Sequence, residues 1–158
     1  MKFIILLTII LNFSLSALQI DDLKKSVFQL EIKNIDDSIS IGSAVSLDGK
    51  LVTAYHVISD AQKVVVLINN KYHDLVIGNV SIEDDLAFLT VSDIKLNIVT
   101  LNSKIQLSDK IHTLSGDSTL LQGTIAKLDT NGILISYSVP QGNSGGGVFN
   151  SNHLKNLY

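Results

Sequence analysis

The chain has 158 residues, of which 46% are hydrophobic and 17% charged, with no cysteine and a formal net charge of −3 at pH 7. This weakly acidic balance argues against a nucleic-acid partner, because proteins that bind phosphate backbones usually carry a basic surface. The lack of cysteine excludes disulfides and thiolate metal sites, and the four histidines show no ligand spacing. We therefore expect no metal and no cofactor.

Residues 1–16 have the pattern of a secretory signal peptide. Met1 and Lys2 form a short basic start, residues 3–15 are almost wholly apolar, and small residues around Ser16 suit cleavage. The apolar run is shorter than the ~20 residues that a membrane-spanning helix needs. The sequence thus predicts an exported protein, periplasmic or secreted, with no stable membrane span after cleavage. An uncleaved N-terminal anchor is the alternative.

The rest of the chain consists mainly of short segments with the pattern of β-strands, separated by Gly, Asn, Asp and Ser. Tight hairpin turns, which need residues that tolerate positive φ, are predicted at three dipeptides: Asp48-Gly49, Asn69-Asn70 and Asn131-Gly132. A helical turn is expected near residues 21–25. Strands are predicted at residues 27–32, 39–47, 51–54, 63–68, 71–80, 86–91, 111–114, 121–128, 133–137 and 147–150. This pattern indicates an all-β sandwich or barrel, with residues 93–109 connecting two lobes.

Three separated motifs contain the residue types of nucleophilic catalysis. The motif QGNSGGG places Ser144 among glycines, TAYHVI contains His56, and DDLAFL contains Asp84 and Asp85. A serine hydroxyl needs a base to take its proton, and a carboxylate can orient the histidine that does so. We predict that Ser144 is the nucleophile, His56 the base and Asp85 the orienting acid, with Asp84 as the alternative acid.

The glycines around Ser144 have a chemical use of their own. Glycine allows close backbone approach, so the N–H groups of Gly142 and Ser144 are predicted to form an oxyanion hole. The string GNSGG also fits the G-x-S-x-G elbow of α/β-hydrolases. That elbow requires a following helix, with the acid and the histidine later in the chain. Because too little chain follows Ser144 for either requirement, we reject the α/β-hydrolase elbow.

In this order, the motifs resemble those of trypsin-like (chymotrypsin-fold) serine peptidases, nearest the bacterial HtrA/Deg-type branch. The resemblance rests on GSAV followed by LVTAYHVI, on DLAFL and on GNSGG, and it covers roughly residues 42–150. It implies a peptidase domain at residues 17–158, with two antiparallel β-barrels at about 26–92 and 98–158. It also implies that Ser138 lies at the base of the pocket for the substrate side chain preceding the scissile bond.

The chain differs from this family after Ser144, where 14 residues remain and the family continues through a further strand. We therefore expect an all-β fold of chymotrypsin type whose second barrel is incomplete at the C-terminus. An open barrel edge would favour self-association. The leading hypothesis is an exported serine endopeptidase that acts on protein or peptide substrates. The alternatives are a non-catalytic binding module or inactive fragment, and an esterase on the same scaffold.

Overall fold

The structure is a computed structural model that describes residues 20–97, 99, 101, 104–129 and 132–150. The predicted signal peptide lies outside these residues. Among them, no helix has the length and apolarity to cross a membrane. A helical turn occupies residues 20–24, and a four-residue helix, Tyr55–Ile58, follows the third strand. The described strands are β1 Val27–Asn34, β2 Ile39–Leu47, β3 Lys50–Ala54, β4 Ala61–Ile68, β5 Lys71–Ser81, β6 Leu86–Val91, β7 Lys110–Leu114, β8 Leu120–Asp129, β9 Gly132–Ile135 and β10 Gly147–Asn150.

All the predicted strands are present, and their ends differ from the predicted ones by at most two residues. Two of the predicted hairpin turns are also confirmed by backbone geometry. Asp48 and Gly49 have φ of 49° and 75°, and Asn69 and Asn70 have φ of 51° and 60°. Positive φ at both central residues is the requirement of a type I′ turn. The third predicted turn lies partly outside the described residues.

The first six strands close into a barrel in the order β1-β2-β3-β6-β5-β4, with every neighbouring pair antiparallel. Closure is made by β1, which pairs with β2 on one side and β4 on the other. Alternate residues of each strand point inward, because side chains of a strand alternate between faces. The fully buried barrel interior includes Leu30, Ile32, Leu51, Val66 and Leu89.

The remaining strands form a four-stranded antiparallel sheet in the order β10-β7-β8-β9. Within the described residues this sheet does not close, so its outer strands are β10 and β9. It packs against the first barrel through Leu114 of β7, which contacts Leu23 and Val27. The all-β prediction, with one complete barrel and an incomplete second one, is therefore confirmed.

Strand β9 was predicted to continue to Tyr137 but ends at Ile135. Next to Ile135, Thr124 N of β8 donates to the Ser136 hydroxyl at 2.9 Å instead of to a backbone carbonyl, which interrupts the ladder. The Tyr137 ring lies over Gly123 of β8, where a Cβ would lie 2.3 Å from it. The Tyr137 hydroxyl also donates to Thr113 Oγ1 at 3.1 Å. Strand β9 therefore ends before Ser136, while the Tyr137 ring remains packed on β8.

We expect Ile32→Ala to lower the free energy of unfolding by about 2–5 kcal/mol, the usual cost of truncating a buried aliphatic side chain. Ile32 is 0% exposed in the barrel interior. Ile39→Ala is the matched control, since Ile39 is 57% exposed on the adjacent strand, and it should cost about 0.5 kcal/mol or less. Urea unfolding followed by circular dichroism measures both. Equal losses for the two variants would contradict this barrel interior.

Candidate active site

The histidine motif forms the end of β3 and the short helix that follows it. β3 ends at Ala54, and the helix Tyr55–Ile58 begins at once, leaving the first N–H groups of the helix without partners inside it. Asp85 supplies acceptors for two of these N–H groups. Its carbonyl oxygen accepts from Tyr55 N at 3.0 Å, and its carboxylate Oδ1 accepts from His56 N at 2.8 Å. Asp85 therefore fixes the backbone that carries the imidazole.

The same carboxylate also binds the imidazole ring. Asp85 Oδ2 lies 2.6 Å from His56 Nδ1. The strand register explains this contact, because Ala54 of β3 is paired with Leu86 of β6, which places the preceding Asp85 beside the start of the helix. Asp85 has φ of 52°, a conformation that Asp and Asn tolerate better than most residues. This turn directs both carboxylate oxygens at His56.

The pairing with His56 changes the acidity of Asp85. Burial alone would raise the pKa of the Asp85 carboxyl, but hydrogen bonds from the backbone and ring of His56, and the charge of that ring, lower it below its ordinary 3.8. Asp85 thus adds stability above that ordinary pKa, and this is lost as the pH falls through the lower folded-state pKa. Since the side chains are 59% and 49% exposed, the contribution is small.

Ser144 is exposed at the tip of a tight turn between Pro140 and β10. Two backbone hydrogen bonds shape this turn: Asn143 N donates to Pro140 O at 3.3 Å, and Gly146 N donates to Asn143 O at 2.9 Å. Asn143 is buried, at 8% exposure. The turn therefore buries the residue before Ser144 and leaves Ser144 itself at the surface.

The Ser144 turn packs against the strands that precede the histidine. Ser144 O accepts a hydrogen bond from Ser43 N of β2 at 2.9 Å. Gly145 has φ of +84°, and a Cβ there would lie 2.2 Å from Thr53 Oγ1 and 3.2 Å from Ala54 N. Only glycine fits both this φ and this approach. The backbone of the serine motif is thus joined to the end of the barrel that carries His56.

The structure brings the predicted catalytic residues together to different degrees. His56 and Asp85 are directly hydrogen-bonded. Among the contacts of the described residues, the His56 imidazole and the Ser144 hydroxyl form no hydrogen bond. Catalytic hydrogen bonds in apo structures are often long and tighten when substrate binds. Asp84, the alternative acid, instead accepts from the Ser81 hydroxyl at 2.6 Å.

The two amides predicted as an oxyanion hole are available to a ligand. In the part of the chain that the structure describes, the N–H groups of Gly142 and Ser144 have no protein acceptor. Gly142 has φ of +89°, and a Cβ there would meet nothing within 4 Å, so the space beside it is open. Ser138, the predicted pocket residue, lies exposed between β9 and Pro140. No metal-binding group of His, Asp or Glu occurs in the described segments.

Sequence reasoning missed two buried polar residues that hold the Ser144 turn in place. Ser43 is 1% exposed and Thr53 is 2% exposed. Thr53 Oγ1 donates to Ser43 O at 2.7 Å, which links β3 to β2 directly beside Gly145. Their only sequence signal is that a hydroxyl residue takes a core position in each strand. Such residues are ordinary in strands, so the signal does not point to function.

The comparisons with known proteins agree with this fold. The family model of the trypsin-like peptidase domain matches residues 41–154. Among solved structures, the serine endoprotease from Yersinia pestis superimposes with a TM-score of 0.73 at 22% sequence identity, over 84% of this chain and 52% of that one. No curated protein sequence matches significantly. This chain spans about half the length of the Yersinia structure.

The chain therefore belongs to the trypsin-like peptidase domain family, as the motifs predicted. The family match begins within β2 and ends after β10, so it includes all three motifs. The likeness to the Yersinia structure shows the fold independently of the sequence motifs, because it rests on the superposed backbone. A serine-protease fold is thus established by both comparisons.

Proposed function

We propose that this chain is a serine endopeptidase that hydrolyses peptide bonds through an acyl-enzyme intermediate. The observation that carries the proposal is the pair of hydrogen bonds that the Asp85 carboxylate accepts from His56, one from its backbone N–H and one from ring Nδ1. With its carboxylate on Nδ1, a neutral imidazole keeps that proton and presents Nε2 as an acceptor. This is the tautomer that can take a proton from a serine hydroxyl.

In the first half of the proposed reaction, Ser144 Oγ attacks the carbonyl carbon of the scissile bond and its proton passes to His56 Nε2. The negative charge on the tetrahedral oxygen is stabilised by the N–H groups of Gly142 and Ser144. The C–N bond then breaks, and the leaving amine takes the proton from His56. Asp85 keeps the imidazole oriented and stabilises its transient positive charge.

In the second half, water attacks the acyl-enzyme and gives its proton to His56. The second tetrahedral intermediate then breaks its bond to Ser144 Oγ, which regains the proton, and the carboxylic acid leaves. The proposed pathway uses this chain's own residues at each step. Ser138 is the proposed base of the specificity pocket, and its neutral side chain would favour uncharged over Lys or Arg side chains.

We further propose that residues 1–16 are a signal peptide and that the peptidase domain of residues 17–158 acts in the periplasm or outside the cell. The proposed substrates are proteins or peptides. Within the described residues β9 and β10 are the outer strands of the second sheet, and an outer strand favours association between copies of the chain.

The test is labelling of purified protein with a fluorophosphonate probe, which reacts with activated serines. We expect one adduct per chain, assigned to Ser144 by peptide mapping, and no adduct in Ser144→Ala. Hydrolysis of unfolded casein and of a simple ester, measured on the same samples, separates a peptidase from an esterase, since an esterase would hydrolyse the ester alone. A folded wild-type protein without any adduct would refute the proposal.

The second candidate is a non-catalytic chain that uses the same fold as a binding module. Two observations favour it: the described part of the second sheet does not close, and His56 and Ser144 form no hydrogen bond in the structure. Under this hypothesis the protein would remain unlabelled yet fold cooperatively. The fluorophosphonate experiment therefore distinguishes the two candidates in one measurement.

A further inference from the structure

Ser43 is hydrogen-bonded to four residues outside its own strand. Its hydroxyl donates to Gly142 O at 3.1 Å and accepts from Gly116 N at 2.9 Å. Its backbone N donates to Ser144 O at 2.9 Å, and its backbone O accepts from Thr53 Oγ1 at 2.7 Å. With 1% exposure, it has no access to water as a substitute partner.

Two of these contacts hold the peptides on either side of the Ser144 N–H, and the first of these peptides also directly follows Gly142. The hydroxyl holds the carbonyl of Gly142, and the backbone N–H holds the carbonyl of Ser144. When these two carbonyls are fixed, the peptide planes that follow both residues are fixed as well. The rotation of Gly142 matters most, because glycine without a Cβ resists rotation less than any other residue.

The hydroxyl also connects this turn to a third part of the molecule. Gly116, whose N–H donates to Ser43 Oγ, lies in the turn between β7 and β8. Gly116 itself packs against β1, where a Cβ would lie 2.3 Å from Gln29 Cα. The Ser43 hydroxyl therefore joins the first barrel, the second sheet and the Ser144 turn at one buried point.

We infer that Ser43 is a positioning residue for catalysis. Its side-chain hydroxyl holds the carbonyl of Gly142, in the peptide between the two oxyanion amides, so that both amides stay aligned. The inference rests on the proposed function, since it assigns to Ser43 a role in that same site. Ser43 touches neither substrate nor reacting atoms and acts through the backbone of Gly142. Without its hydroxyl, Gly142 O and Gly116 N both lose their partner in a partly buried place.

The test compares Ser43→Ala with Ser46→Ala. Ser46 is the matched control, because it lies on the same strand, is 0% exposed and donates its hydroxyl to a backbone carbonyl, that of Asn97. Fluorophosphonate labelling gives the limiting rate constant kinact and the half-saturating concentration KI. We expect Ser43→Ala to lower kinact about tenfold, part of the ~10²–10³ that losing one oxyanion donor costs. KI should stay unchanged, and Ser46→Ala should keep both values.

If the role of Ser43 were purely structural, Ser43→Ala would lower the free energy of unfolding without lowering kinact selectively over KI. Equal kinact in Ser43→Ala and Ser46→Ala would overturn the inference, whatever their stabilities. If Ser43→Ala does not fold, Ser43→Cys retains the size with a much weaker donor. A folded Ser43→Cys with wild-type kinact would also overturn it.

Amide hydrogen exchange tests the positioning separately from the activity. Gly146 N is hydrogen-bonded inside the Ser144 turn, so its exchange should quicken in Ser43→Ala and stay unchanged in Ser46→Ala. Unchanged exchange of Gly146 in Ser43→Ala would refute the positioning role. Wild-type protein that is never labelled would refute the proposed function instead, while the exchange result would still decide whether Ser43 holds the turn.

Discussion

Asp85→Asn is expected to lower kcat for peptide hydrolysis about 10⁴-fold, the loss measured for the same change in a well-studied serine protease. The expectation follows from the two contacts of this carboxylate, one to His56 N and one to His56 Nδ1. The amide oxygen of Asn can still accept from His56 N. Its NH₂ group then faces Nδ1, and this makes Nδ1 an acceptor.

The imidazole of the variant would therefore carry its proton on Nε2, where it cannot accept the proton of Ser144. The backbone should not change, because Asp85 has φ of 52° and Asn tolerates this conformation as well as Asp does. The loss should thus appear in kcat while the unfolding transition stays close to that of the wild type. This combination separates a tautomer effect from a folding defect.

Asp84→Asn is the control for this prediction. Asp84 precedes Asp85 directly and carries the same charge, but it accepts from Ser81 rather than from His56. Hydrolysis of fluorescent casein at saturating concentration, with thermal unfolding on the same samples, measures both variants. A large loss in Asp84→Asn with near wild-type activity in Asp85→Asn would reverse the assignment of the orienting acid.

Much of the fold could be predicted from local patterns in the sequence. In β1, buried Leu30 and Ile32 alternate with more exposed neighbours, and this period of two identifies a strand without any tertiary information. The turn at Asp48-Gly49 was equally local, since its dihedral angles are a property of those two residues. Such signals were enough to predict every strand of the described chain within two residues.

Barrel closure could not be predicted in this way. The pairing of β1 with β4, with Ile32 opposite Val64, depends on a register between segments that are distant in sequence, and local alternation does not encode it. The two-barrel expectation came from the family resemblance. The end of β9 was missed for a similar reason, because the Ser136 hydroxyl takes the place of a backbone acceptor for Thr124 N of the neighbouring strand.

The candidate site also contains residues that local sequence patterns reveal and residues that they do not. Ser144, His56 and Asp85 could be named because each lies in a motif with recognisable flanking residues. Ser43 could not be singled out, since its partner Gly142 is 99 residues away in sequence. A serine in an alternating strand has no pattern that would reveal a buried hydrogen bond to a distant carbonyl. The residues proposed to react were visible in the sequence, and the residue proposed to position them was not.

Gly145→Ala is expected to reduce activity at least about 10²-fold, the cost of a misplacement near 1 Å in an active site. A Cβ on Gly145 would lie 2.1 Å from the backbone oxygen of Ser43 and 2.2 Å from Thr53 Oγ1. Backbone oxygen cannot rotate away as a flexible side chain can, so β2 and the Ser144 turn must separate. The hydrogen bond from Ser43 N to Ser144 O would be the first to lengthen.

Gly49→Ala separates this clash from the backbone strain that both glycines share. Gly49 has φ of +75°, similar to +84° at Gly145, but a Cβ there meets nothing within 4 Å. Gly49→Ala should therefore cost only the left-handed conformation, about 1–2 kcal/mol of stability, and keep full activity. Gly145→Ala should add an overpacking cost of about 1–3 kcal/mol. Casein hydrolysis and urea unfolding of both variants measure these effects, and equal activities would show that the Ser144 turn does not depend on its close approach to β2.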